Sequence, residues 1–137
     1  MVYITKIRDR VIIAIGYNPA KRGMLTVESR ARLIRTVYAE EPRVEVTSYT
    51  TLTGEEARRL GATAIVRSVR NSADFDYERT LAHANSHIFS DISTVLVVAP
   101  AEVEHISSSL VRELHTFNYP VDELLPEGIR LADYKDK

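Results

Sequence analysis

The sequence contains no cysteine, which excludes disulfide bonds, thiolate metal ligands and catalysis by a thiol. It also lacks an excess of charge of one sign, because 18 lysines and arginines against 19 aspartates and glutamates leave a net charge of −1. Bulk electrostatic attraction to nucleic acid or to an anionic membrane is therefore not expected. We expect neither a nucleic-acid nor a membrane partner.

Long hydrophobic runs are missing as well. The longest, residues 95–100, is far shorter than the roughly 20 residues that span a bilayer. The first ten residues include Lys6, Arg8 and Asp9 and contain no apolar run typical of a signal peptide. Together with the absence of cysteine, these features predict a cytoplasmic protein. A length of 137 residues predicts one domain spanning 1–137.

What the chain does contain is an alternation of β-branched runs and helical patterns. Strands are predicted at 11–15, 44–46, 62–66 and 94–99, and helices at 26–40, 53–60, 74–89 and 107–118. Thr26 is the predicted cap of the first helix, and Gly61 is the predicted stop of the second. Strands that alternate with helices favour right-handed crossovers and a parallel sheet covered on both faces. The predicted fold is an α/β, Rossmann-like, doubly wound parallel sheet in a single domain.

Polar clusters follow three of the predicted strands. Lys21 and Arg22 follow the first strand, Arg67 and Arg70 follow the third, and the serine run 107–109 follows the fourth and opens a helix. Ligands of open parallel sheets bind beyond the carboxyl ends of the strands. Cations and the free N–H groups of a helix N-terminus favour polyanions such as a triphosphate. Each cluster alone has an ordinary interpretation as surface charge or helix cap, but together they predict a site for nucleotide phosphates.

Three stretches of the sequence carry a family resemblance. They are residues 18–21 (NPAK), residues 65–70 (IVRSVR) followed by 74–78 (DFDYE), and residues 106–113 (ISSSLVRE). In their order and spacing the chain resembles phosphopantetheine adenylyltransferase over residues 10–131. The resemblance implies adenylyl transfer from ATP to 4′-phosphopantetheine, giving dephospho-coenzyme A and pyrophosphate in the biosynthesis of coenzyme A. It also implies magnesium bound with ATP and a hexameric assembly.

The resemblance further implies a set of binding residues. Lys21 and Arg67 would bind the phosphate of 4′-phosphopantetheine, and Thr53 would contact its pantetheine arm. The ATP site would be lined by Ser68, Val69, Arg70, Glu78, Val103, Glu104, His105, Ile106, Ser107, Ser108 and Ser109. The implied reaction is an in-line attack on the α-phosphorus of ATP, catalysed by positioning and charge neutralisation without a covalent enzyme intermediate.

The sequence departs from the family pattern at its start and at three internal positions. It begins after the family's Thr/His-x-Gly-His motif, so no catalytic residue is assigned, and residues 1–9 are interpreted as the remnant of the first helix. Ser68 replaces a usual glycine, Ser86 a usual basic residue, and Glu56 a usual apolar or aromatic residue of the pantetheine pocket. Two explanations stay open: an N-terminally truncated adenylyltransferase, or a nucleotide-binding remnant of that family without catalysis.

The predicted helix 74–89 carries two further patterns. An apolar stripe of the helix consists of Tyr77, Leu81, Ala84 and Ile88. His83 and His87 have the i, i+4 spacing of a zinc-binding pair, but the glutamate of a His-Glu-x-x-His site and a third ligand are both missing. We therefore expect no metal site here.

Other features of the chain have both an ordinary structural interpretation and a functional one. Arg30, Arg32 and Arg35 are typical of a solvated helix face, with a subunit contact as the alternative. A receiver-like or flavodoxin-like binding module would share the layer pattern. The receiver-like module is disfavoured, because residues 99–100 lack the lysine that it needs after a late strand. Residues 132–137 are predicted to form a frayed tail.

Overall fold

The computed structural model describes residues 10–135. The strands in this part of the chain are β1 (Val11–Gly16), β2 (Val44–Tyr49), β3 (Ala64–Val69) and β4 (Ser93–Val98), and the helices are α1 (Val27–Val37), α2 (Thr53–Arg59), α3 (Ser72–Ile88) and α4 (Ser108–Thr116). Short 3₁₀ turns follow at Ala101–Val103, Asp122–Leu124 and Leu131–Tyr134. The predicted alternation of strands and helices is confirmed, whereas the interpretation of residues 1–9 lies outside the described residues.

The described chain divides into two compact units. The first comprises residues 10–50 and 109–135, and the second comprises residues 51–108. The first contains β1 paired in parallel with β2, and the second contains β3 paired in parallel with β4. Each parallel pair is connected through a helix, as parallel pairing requires. The parallel pairing is confirmed within each unit, and the single domain spanning 1–137 stays a prediction.

The core of the first unit is assembled from both ends of the chain. Its buried residues are Leu25, Val111, Val121, Ile129, Leu131 and Tyr134. The tail was predicted to fray from residue 132, and this is wrong for residues 132–135. The 3₁₀ turn at Leu131–Tyr134 buries the Tyr134 ring, and the guanidinium of Arg32 lies 5.1 Å from the centre of that ring.

The arginines of α1 do more than face solvent. Arg32 donates a hydrogen bond to the carbonyl of Asp133 at 3.1 Å, and Arg35 donates to the carbonyl of Val46 at 3.2 Å. Both side chains are exposed, yet each links α1 to another segment of the same unit. The helix begins as predicted, because the Thr26 hydroxyl accepts a hydrogen bond from the amide of Ser29, but it ends at Val37 rather than at residue 40.

The core of the second unit contains Ala57, Ile65, Phe89 and Ile92. Helix α2 approaches the Phe89 ring so closely that a Cβ added at Gly54 would lie 2.2 Å from Phe89 Cδ2. The helix ends at Arg59, and Gly61 then adopts a φ of +67°, in agreement with its predicted role as the helix stop.

One sequence-based expectation for this unit is wrong. Strand β3 runs to Val69 instead of ending at residue 66, so Arg67 lies within the strand and does not follow it. The apolar stripe of α3 is exposed, as Tyr77 (63% exposed) and Ile88 (59%) illustrate. The buried residue of this helix is Glu78. A charged residue is tolerated at this position because an arginine of β3 pairs with it, as described below.

Candidate functional site

Arg67 in β3 and Glu78 in α3 form a two-pronged ion pair. The guanidinium donates from Nε to Oε2 and from Nη2 to Oε1, both at 2.8 Å. The side chain of Glu78 is 11% exposed and that of Arg67 is 43% exposed. A paired fork of this kind is among the stronger hydrogen-bonded contacts in proteins. The residue implied for the 4′-phosphopantetheine phosphate thus contacts a residue implied for ATP.

Arg70 makes the equivalent contact just beyond the end of β3. Its Nε donates to Oδ2 of Asp74 at 2.8 Å, and its backbone amide donates to the same oxygen at 3.2 Å. The side-chain hydrogen bond from Arg70 lowers the pKa of Asp74 from its ordinary value. The Nη1 of Arg70 also donates to the carbonyl of Ile106 at 3.3 Å, which links β3 to the loop that precedes the serine run.

The four residues form what we call the arginine–carboxylate cluster: Arg67, Arg70, Asp74 and Glu78. Asp74 and Glu78 lie one turn apart on α3, so both carboxylates face the end of β3. Two positive and two negative charges balance, and this balance lowers the cost of partly burying the group. Sequence reasoning assigned no role to Asp74, although its i, i+4 spacing from both Arg70 and Glu78 was a usable signal.

The structure gives the other residues implied for ATP different environments. Ser68 is exposed in β3, whereas the side chain of Val69 is buried and its carbonyl accepts a hydrogen bond from Ala99 at 2.8 Å. A ligand contact by Val69 would therefore use its backbone. Val103, Glu104 and His105 are exposed in the loop after β4.

The serine run begins half-buried and continues into α4. Ile106 and Ser107 are half-buried, and Ser108 opens the helix one residue later than predicted. The hydroxyl of Ser109 accepts a hydrogen bond from Nη2 of Arg112 at 3.1 Å. Within the second unit the structure therefore brings together Arg67, Arg70, Glu78 and Ile106.

The two remaining predicted residues, Lys21 and Thr53, lie outside the arginine–carboxylate cluster. Lys21 is exposed in the first unit, in a turn where the Asn18 carbonyl accepts from the Lys21 amide at 3.0 Å and the Asn18 side chain accepts from the Ala20 amide at 2.9 Å. Thr53 is the first residue of α2 in the second unit and is half-buried, beside the exposed Leu52.

Comparison with known proteins assigns the chain to a family. A profile of the cytidylyltransferase-like family matches residues 4–114. A phosphopantetheine adenylyltransferase from Porphyromonas gingivalis is 46% identical over 123 residues, which cover 90% of this chain and 80% of that protein. The enzyme of the same name from Flavobacterium psychrophilum is 40% identical, and that from Bacteroides thetaiotaomicron is 38% identical; in both cases 90% of this chain and 81% of the relative are covered. The chain belongs to the phosphopantetheine adenylyltransferase family.

The departures from the pattern of the phosphopantetheine adenylyltransferase family occupy distinct environments. Glu56 is buried, and Arg59 holds its carboxylate with hydrogen bonds of 2.6 and 2.8 Å. Those hydrogen bonds lower the pKa of Glu56 from its ordinary value, so the carboxylate stays charged in place of the apolar group that the family pattern predicts. Ser68 and Ser86 are both exposed, so neither hydroxyl needs a buried partner.

The two histidines of α3 do not belong to a larger group of potential metal ligands among the described residues. His83 and His87 are exposed, and the described residues contain no group of three or more potential ligands that could hold a metal ion. Within the same residues, no helix combines the length and apolar character needed to cross a membrane.

Proposed function

We propose that this chain transfers the adenylyl group of ATP to 4′-phosphopantetheine, giving dephospho-coenzyme A and pyrophosphate. The names of its relatives support this reaction. The structural observation that carries the proposal is the pair of arginines in and after β3: Arg67 lies in the carboxyl half of the strand, and Arg70 lies just beyond its end, beside the loop that leads into the serine run. The ends of parallel strands are where ligands of such sheets bind.

The proposed step is an in-line displacement at phosphorus. An oxygen of the 4′-phosphopantetheine phosphate forms a bond to the α-phosphorus of ATP, and the bond from that phosphorus to the bridging oxygen breaks as pyrophosphate leaves. Arg67 would neutralise the attacking phosphate, while Arg70 and the loop that leads into the serine run would hold the triphosphate. ATP would enter as its magnesium complex. Such catalysis works through positioning and charge neutralisation.

Pyrophosphate release by the purified chain with magnesium, ATP and 4′-phosphopantetheine tests the proposal. We expect release that depends on both substrates, with dephospho-coenzyme A identified by mass spectrometry and no turnover of pantetheine lacking the phosphate. Arg67→Ala should lower kcat/KM for 4′-phosphopantetheine roughly 100-fold, because a charged contact to phosphate is lost. The matched control is Arg58→Ala, which removes an exposed arginine paired with Asp91 in the same unit and should leave kcat/KM unchanged.

Two results would contradict the proposal in different ways. ATP binding measured by calorimetry, without pyrophosphate release, would favour the alternative of a nucleotide-binding family member without catalysis. No binding of either substrate would leave the chain with the family's fold alone.

Location and assembly belong to the same proposal. We place the protein in the cytoplasm. A hexamer is the proposed assembly, and light scattering on the eluting peak of a size-exclusion column measures its mass directly.

A further inference from the structure

The two ends of the β1–β2 pair in the first unit differ in charge. At the amino end, Arg10 pairs with Glu45, and Arg43 pairs with Glu41. All four residues lie within three residues of the start of a strand, so two carboxylates neutralise two arginines there. These four side chains therefore leave no net charge at the amino end of the pair.

At the carboxyl end of the same pair, two cations have no such partner. Lys21 and Arg22 follow β1 and are exposed, and neither forms an ion pair with a carboxylate within residues 10–135. Residues 10–27 contain no aspartate or glutamate, and neither do residues 46–50 at the end of β2. This end of the pair therefore carries two positive charges that these segments do not compensate.

The segment that carries both cations is held at each end. The Asn18 side chain accepts a hydrogen bond from the Ala20 amide at 2.9 Å, and the Asn18 carbonyl accepts one from the Lys21 amide at 3.0 Å. Three residues after Arg22, Leu25 is buried in the core of the first unit. The backbone between Asn18 and Leu25 is therefore fixed at the end of β1, and both charges stay near that end.

We infer that Arg22 is a specificity-determining residue, which attracts the phosphate of 4′-phosphopantetheine electrostatically toward Lys21. The inference rests on the proposed function and on Lys21 as the contact for that phosphate, which the family resemblance implies; the resemblance assigns no ligand to Arg22. Consecutive Cα atoms lie about 3.8 Å apart, so the Arg22 charge stays on the order of 10 Å from a phosphate bound to Lys21. A charge at that distance acts through space and needs no direct contact.

The salt dependence of 4′-phosphopantetheine binding by Arg22→Gln tests this inference. At an ionic strength of about 0.01 M, the dissociation constant measured by calorimetry should rise about threefold. The reason is that one unit charge acting on a dianion ~10 Å away is screened only weakly under these conditions. At about 0.5 M the rise should be less than about 1.5-fold, because screening then acts within a few ångströms.

Three further variants separate the charge of Arg22 from its shape and from the net charge of the chain. Arg22→Lys keeps the charge and should bind as tightly as the unsubstituted chain. Arg22→Glu changes the charge by two units, so its rise at low salt should be the square of the rise for Arg22→Gln, roughly eightfold. Arg10→Gln is the matched control, because it removes one positive charge at the amino end of β1, about 20 Å away along the strand. It should change the dissociation constant less than about 1.5-fold.

Three outcomes would overturn the inference. An unchanged dissociation constant of Arg22→Gln at low salt would mean that Arg22 lies too far from the bound phosphate, and it would leave the proposed function intact. A loss that persists at high salt, or that Arg22→Lys does not restore, would mean a direct and geometrically specific contact. An equal rise in Arg10→Gln would mean that the net charge of the chain attracts the substrate, whatever its distribution. If the unsubstituted chain binds no 4′-phosphopantetheine at either salt concentration, the proposed function fails and the inference fails with it.

Discussion

At the scale of single residues, arginine–carboxylate pairs recur in both units, and their surroundings differ. Arg10 with Glu45 and Arg58 with Asp91 are pairs in which both side chains are more than half exposed. Exposed pairs of this kind contribute little to stability, since water screens them and ordering two long side chains costs entropy. Glu78 differs because its carboxylate is largely removed from water and so depends on its partner.

The pair of Arg43 and Glu41 offers a direct measurement at this scale. Hydrogen bonds from the Arg43 side chain lower the pKa of Glu41 to about 2 from the ordinary value of 4.5. We expect Arg43→Gln to return the pKa of Glu41 toward 4.5, as measured by a carbon-13 NMR pH titration of the side-chain carboxyl. Arg58→Gln is the control and should leave the Glu41 titration unchanged.

The sign of the linked stability effect follows from the direction of the shift. Because the folded-state pKa is the lower one, the pair stabilises the folded chain above pH 4.5, and this stabilisation is lost as the pH falls toward 2. A Glu41 pKa that stays near 2 in Arg43→Gln would show that another group holds the carboxylate in its charged form.

At the scale of elements, the packing of α2 against the residue after α3 depends on a missing side chain. Gly54 lies in the first turn of α2, and the ring of Phe89 occupies the space that a Cβ would need. The guanidinium of Arg58 in turn lies over the Phe89 ring, 5.1 Å from the ring centre. A glycine inside a helix normally weakens it, but here its small size allows the close approach.

Gly54→Ala should therefore destabilise the chain despite the better helix propensity of alanine. A Cβ 2.2 Å from Phe89 Cδ2 must displace the ring, and overpacking of this kind outweighs the propensity gain. We expect a net loss of about 1–2 kcal/mol in the free energy of unfolding, measured by urea denaturation.

A double variant identifies the cause of that loss. Phe89→Leu makes room for the new methyl group, so Gly54→Ala should cost less in the Phe89→Leu background than alone. Gly61→Ala is the contrasting case, because nothing lies within 4 Å of its added Cβ and its cost comes from a φ of +67°. Phe89→Leu should not relieve the cost of Gly61→Ala, and equal relief at both glycines would contradict this account.

At the scale of the whole molecule, one unit is continuous in sequence and the other is not. Residues 51–108 form the second unit without interruption, while the first needs residues 109–135 to return and pack with residues 10–50. Tyr134 lies near the end of that returning segment and is 8% exposed in the core of the first unit. The stability of the first unit therefore depends on contacts between residues far apart in sequence.

Tyr134→Ala should lower the free energy of unfolding by about 2–3 kcal/mol, because it leaves a cavity among buried aliphatic side chains. Urea denaturation measures the loss, and hydrogen exchange should show faster exchange of amides in β1 and α1. Tyr119→Ala is a matched control in the same unit, since Tyr119 is 64% exposed and its removal should cost less than about 0.5 kcal/mol. Equal losses in both variants would contradict a buried role for the returning segment.

Local signals in the sequence predicted much of the fold. The cap at Thr26, the stop at Gly61 and the alternation of β-branched runs with helical spacing act within a few residues, so they can be recognised without the tertiary structure. The three stretches that carry the family resemblance likewise identified the family, which the comparisons confirm. The residues implied for ligands stay predictions, because they depend on molecules outside the chain.

What only the tertiary structure decided is which polar groups find partners. The sequence contains an apolar stripe on α3 that includes Tyr77 and Ile88, yet both are exposed and Glu78 is buried. The free energy of burying a carboxylate changes greatly when a guanidinium pairs with it, and that guanidinium belongs to Arg67, eleven residues earlier in a neighbouring strand. In the same way, Tyr134 is buried because the Leu131–Tyr134 turn packs against residues from the other end of the chain. Sequence patterns determine local conformation, whereas pairing across the fold determines burial.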